Sequence, residues 1–105
     1  MRISGRLAYV PNKEGKWGFI NTKGELVIPY KWSEAWEFSE GRGRVKNKDG
    51  KWGFIDKAGN NVIPCQWGFV GAFSEGYAWV INSNTYKFVD KMGNVTPFKE
   101  NPGVE

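Results

Sequence analysis

The chain has 105 residues and no His, and its 15 Lys or Arg against 11 Asp or Glu leave a net charge of +4. That length allows one small domain and leaves little room for a deep catalytic cavity. Seventeen residues are aromatic and 15 are Val or Ile against 2 Leu, and with 14 Gly besides this composition excludes a helical bundle.

Taken in chain order, the first strand is expected over Arg6 to Val10. The loop Asn12-Lys13-Glu14-Gly15 follows, ending in a Gly that can take the positive φ of a hairpin. Lys16 to Asn21 is then the antiparallel neighbour, and a turn closing at Gly24 leads to a third strand over Glu25 to Ile28. Pro29 should end that strand, because it cannot donate to a ladder. A linker from Pro29 to Phe38 carries Trp32, and Ser33 is placed to cap a single helical turn through Glu34, Ala35 and Trp36. The same order then recurs: Arg42 to Lys46, Lys51 to Asp56, Asn61 to Ile63 and a linker from Pro64 to Phe73, then Tyr77 to Ile81, Tyr86 to Asp90 and Val95 to Thr96. In the turns after Asp56 and Asp90 the Asp can hydrogen-bond the turn backbone. Eight or nine short strands joined as meanders are expected, with no helix beyond a turn or two.

The recurrence has a fixed length. Residues 4–38 laid on 39–73 give 16 identities in 35, and Lys16-Trp17-Gly18-Phe19-Ile20 returns whole as Lys51-Trp52-Gly53-Phe54-Ile55. A third, degenerate copy occupies 74–98, with Tyr86 for the Trp and Lys87 for the Gly, and 99–105 form a tail. The shared Gly-Lys-Trp-Gly-Phe-Ile, the Val-Ile-Pro after it and the closing Phe-Ser-Glu-Gly resemble the WG repeat, also called the KWG repeat, of bacterial proteins. The resemblance implies a bacterial, β-rich tandem array and supplies no catalytic or ligand-binding residues. The fold expected is all-β, a single small domain of three tandem antiparallel hairpin and meander repeats that share their core across copies. Copy three, with Lys87 where the other copies have a Gly that lets an aromatic lie close, reads as a cap with its outer side in water.

Absences bear on function. Without His, the usual general base near neutral pH and the commonest metal ligand are missing. Cys65 is the single Cys, so it forms no intrachain disulfide and no thiolate zinc site. Asp56 and Asp90 recur in register, but turn capping explains them better than glycosidase-like chemistry. No enzyme activity, cofactor or metal is therefore expected. No signal peptide or membrane span is visible, which points to a cytoplasmic location. Nucleic acid is not expected as a partner, because the charge is modest and no recognised module is present.

Two surfaces remain. The aromatics Trp17, Phe19, Trp52, Phe54, Tyr86 and Phe88 share one side of the middle strand of each copy, where a cradle for a carbohydrate or choline-like ligand competes with a plain core. On the first strand of each copy, Ala8, Val10, Gly43, Val45, Ala78 and Val80 mark the inward face. The alternate positions then face outward and vary between copies, which makes Tyr9, Arg42, Arg44, Tyr77 and Trp79 the candidate binding residues. Glu34, Glu37 and Glu40 can offset the nearby basic residues. Among the Trp, the recurring Trp17, Trp32, Trp52 and Trp67 should be buried, and Trp36 and Trp79 more exposed. The reading is a protein-recognition module, with a cell-wall ligand module as the alternative and pairing through strand edges as a route to oligomers.

Overall fold

The computed structural model describes residues 6–97. Eleven strands make up the fold, and no helix occurs among the described residues. They are β1 (Ala8–Pro11), β2 (Trp17–Ile20), β3 (Leu26–Trp32), β4 (Glu34–Ser39), β5 (Arg42–Lys46), β6 (Trp52–Ile55), β7 (Asn61–Trp67), β8 (Phe69–Val70), β9 (Tyr77–Asn82), β10 (Thr85–Asp90) and β11 (Val95–Pro97). Each strand pairs antiparallel with its chain neighbour in three sheets, ordered β1-β2-β3, β4-β5-β6-β7 and β8-β9-β10-β11.

The turns follow the sequence. Asn12, Asn21, Asn47, Asp56 and Asp90 each accept two backbone N–H groups, from the residues two and four places on. Gly15, Gly24, Gly50, Gly59 and Gly93 close these loops at positive φ. Copy three shortens its first turn to Ser83-Asn84, with Ser83 at φ 54.

The linkers depart from expectation. Residues 34–39 are a strand, not a helical turn, and 69–70 are a shorter one, which brings the count above nine. Alternation explains the first case. Ala35 is buried on one side and Trp36 lies on the other, as a strand between two packed layers requires. Each linker strand joins the sheet of the following copy, so the structural unit begins ahead of the sequence repeat.

Pro29 and Pro64 do not end their strands. β3 and β7 run on to Trp32 and Trp67, but between Phe19↔Ile28 and Trp17↔Trp32 they hold two more residues than β2, and β7 does the same opposite β6. The Pro sits in this bulge, where no ladder N–H is needed. The bulge also explains the Gly after each Trp. A Cβ on Gly18 would strike the Ile28 carbonyl oxygen, and one on Gly53 that of Ile63. Gly18 and Gly53 therefore admit backbone, not a neighbouring aromatic. Copy three pairs β10 with β11 in unbroken register, so no bulge crosses Lys87 and a side chain fits there. Lys87 lies on the same side of β10 as the buried Val89, facing the middle sheet and not an outer cap surface.

The sheets stack face to face. Phe19, Ile28 and Trp32 of the first sheet pack on Ala35, Val45 and Ile55 of the second. The other face of the second, Trp52, Phe54, Ile63 and Trp67, packs on Val70, Phe73, Ala78, Val80 and Val89 of the third and its linker. The two cores match position by position at a shift of 35, or 34 past the shortened turn of copy three, where Val89 answers Ile55. At Ser33 and at Gly68 the chain turns out of one sheet and into the next, and their N–H groups bond the carbonyls of Lys46 and Ile81. Ser39 Oγ donates to the Phe73 carbonyl, and the Glu40 carboxylate accepts the N–H groups of Glu75 and Gly76, so the first Ser-Glu-Gly turn rests on the second.

Candidate functional site

The five candidate binding residues do not form one open face. Stacking buries both sides of the middle sheet, and Arg44 is only 8% exposed. Its guanidinium lies 4.4 Å from the centre of the Trp36 ring, and its Nη1 donates to the Val70 carbonyl at 3.2 Å. Burial pulls its pKa down from the ordinary arginine range, and the nearby Glu37 and Tyr9 oppose this. Arg42 is also engaged: its Nε and Nη2 donate to the Lys91 carbonyl at 2.9 and 2.8 Å, tying copy two to a turn of copy three. Alternation assigns both to the outward face of the strand, and it cannot tell an open face from one covered by a neighbouring layer.

Glu34 pairs directly with a nearby base, and Glu37 lies close enough to Arg44 to favour its charge. The Glu34 carboxylate pairs with Lys46 Nζ at 3.0 Å and accepts from Trp36 Nε1 at 3.3 Å. The bond to Lys46 lowers its pKa from the usual carboxylate range.

Tyr77 and Trp79 stand where expected, 50% and 37% exposed on the outer face of the third sheet. Tyr86, 54% exposed, joins them from β10 with its ring 6.1 Å from that of Trp79. Phe69 lies 5.9 Å from Trp79 and 5.3 Å from Trp52, and Trp36 is within 6.3 Å of both Phe69 and Trp52. The result is a continuous aromatic ridge from Arg44 and Trp36 across the stack edge to Trp79 and Tyr86. Tyr9 is exposed on the first sheet, 5.7 Å from Trp17 and close enough to Arg44 to act on its charge, but apart from Tyr77 and Trp79 of the third sheet. The residues that sequence reading missed for this surface are Phe69 and Tyr86. Tyr86 was placed among core aromatics because its equivalents, Trp17 and Trp52, are followed by another layer and it is not.

Trp32, Trp52 and Trp67 are buried and Trp79 is exposed, as expected, with Trp36 half-buried. Trp17 is only half-buried. Phe69, which meets Trp52 edge-on, has Glu34 as its counterpart one copy earlier, and that side chain is drawn to Lys46. Likewise Ala8 is exposed and Val10 half-buried, since no sheet precedes the first one among the described residues.

A slot between successive middle strands is not open where Phe54 stands, because Phe73 closes on it edge-to-face at 4.8 Å. Among the described residues no three His, Cys, Asp or Glu side chains are grouped to hold a metal ion, and no helix is long and apolar enough to cross a membrane. The model of the family described as WG containing repeat matches twice, at residues 17–52 and 52–86, so that the matches span two thirds of the chain. No curated protein matches it.

Proposed function

From a chain that belongs to the WG containing repeat family, we propose a non-enzymatic module that recognises another protein through the outer face of its third sheet. The observation that carries this reading is the cluster of Tyr77, Trp79 and Tyr86, three large aromatics left in solvent together on one face. Contiguous exposed aromatic surface is the composition of interface anchors. The Asn, Asp and Glu side chains of the turns serve the backbone, which leaves them a structural role.

Selection of a displayed random-peptide library on the folded chain tests this. Bound peptides should lose about 2 kcal/mol or more of affinity when Trp79 is truncated to Ala, the cost of removing an anchor. Titration with cell-wall glycan fragments, followed by Trp fluorescence, is the opposing arm. A saturable change that persists in the Trp79→Ala, Tyr86→Ala double variant would overturn the reading.

A further inference from the structure

We propose that the partner of this face is the first sheet of a second copy of the same chain, so that the molecules join head to tail; this rests on the recognition reading above. The argument starts from the two interlayer cores. In each, the aromatic face of one sheet (Phe19, then Trp52 and Phe54) meets the aliphatic face of the next (Val45 and Ile55, then Ala78, Val80 and Val89), with a Phe of the linker (Phe38, then Phe73) edge-on beside it. One interface, used twice, leaves two ends that complement each other. The third sheet ends on an aromatic face in which Tyr86 takes the place of Trp52. The first sheet ends on Ala8, Val10 and Ile20, the positions that Gly43, Val45 and Ile55 occupy where they are buried. Ala8 is exposed, and Val10 and Ile20 are half-buried.

A terminal layer that serves as a cap carries a polar outer face. This one carries Tyr77, Trp79 and Tyr86, so it has the character of an internal layer, with no further layer over it among the described residues. The contact between the two Ser-Glu-Gly turns has the same polarity. Glu40 reaches forward to the Glu75 and Gly76 amides, and Glu75, its counterpart 35 residues on, is exposed at the end of the series. Both ends thus continue an interface already present inside the molecule. Because the two contact surfaces differ, the association is heterologous and extends to a ring or an open fibre. Strand edges are not required for it.

Sedimentation velocity over a dilution series from millimolar to micromolar should show the average mass rising with concentration. Tyr86→Glu blocks the aromatic end and Ala8→Glu the aliphatic end, each at an exposed position. Each variant alone should be monomeric, with association weakened about 30-fold or more, as for loss of an interface anchor. An equimolar mixture of the two should give one-to-one dimers and nothing larger, because each contributes its intact end. Tyr77→Glu provides a second block of the aromatic end should Tyr86→Glu lose its β-sheet circular dichroism. A wild-type chain that is monomeric throughout, an Ala8→Glu variant that still assembles, or a mixture that fails to pair would overturn the proposal. The peptide selection reports on the recognition face independently: peptides lost on Trp79→Ala in a monomeric chain would remove the self-partner and keep the surface.

Discussion

The indole of Trp79 rests against the backbone of Gly71, so close that a Cβ there would overlap its ring. Thirty-five residues earlier the pair is reversed in size: Trp36 stands at the position of Gly71, and Arg44, at that of Trp79, lies over it. One slot is filled in two ways, with the bulk supplied by the linker strand in one sheet and by the following strand in the next.

That exchange is testable as a coupled substitution. Gly71→Ala should displace Trp79 and cost about 1–3 kcal/mol, as overpacking does. Trp36→Gly leaves Arg44 buried without the ring it lies on, and Arg44→Trp alone crowds Trp36. The double variant Trp36→Gly, Arg44→Trp copies the third sheet and should be more stable than the sum of the singles predicts, by urea unfolding in a double-mutant cycle.

The bulge at Pro64 makes a second prediction. Gly53→Ala puts a methyl into the Ile63 carbonyl, and with backbone on both sides little relief is available, so a loss of about 3 kcal/mol is expected. Lys87→Ala, at the same position in the copy without a bulge, should change the urea midpoint little. Equal losses at the two sites would contradict the account of the Gly.

Much of the molecule was legible from the 35-residue spacing: the strands β5, β6, β9 and β10, the turns and the buried Trp32, Trp52 and Trp67. The continuation past Pro29 and Pro64 was not, because Pro normally ends a strand and only the backbone path reveals a bulge. Residues 34–39 were misread for a related reason. A Ser followed by Glu, Ala and Trp satisfies the local rules for a helical turn, and pairing with Arg42–Lys46 overrides them. Arg44 shows the limit of period-two reasoning, which assigns sides but not what covers them.

Acid should loosen two turns selectively. Asp56 and Asp90 have pKa values lowered below the usual carboxylate range, chiefly by the side-chain hydrogen bonds from Asn60 and Asn94 and then by backbone N–H groups. A lowered folded-state value means the contribution is present above the unfolded aspartate pKa, about 3.9, and is lost as pH falls through the folded value. Asn21 makes the same turn without a charge. Asp56→Asn with Asp90→Asn should therefore keep the turns and flatten the acid limb of the stability curve, measured by thermal unfolding between pH 5 and pH 2 in roughly half-unit steps.

Cys65 should be a slow thiol. It is half-buried against the first interlayer core, its Sγ 3.9 Å from the Val45 carbonyl, and burial pushes its pKa up to about 11. The neutral form is favoured in the fold, so its contribution is complete below the unfolded thiol value and lost as pH rises through about 11. Iodoacetamide at mildly alkaline pH should label it far more slowly in the native chain than in urea. Comparable rates would place the thiol in solvent.

The passage of the chain at Ser33 and Gly68 from one sheet into the next bears on synthesis. Because each linker strand belongs to the sheet after it, and each sheet seals the core of the one before, no strand among the described residues has to return past its neighbouring sheet. As the chain leaves the ribosome, the first core can close once Ile55 has emerged and the second once Val89 has. Vectorial folding of this kind keeps the sequence separation of contacts short, and it exposes to the cell only one unfinished aromatic face at a time.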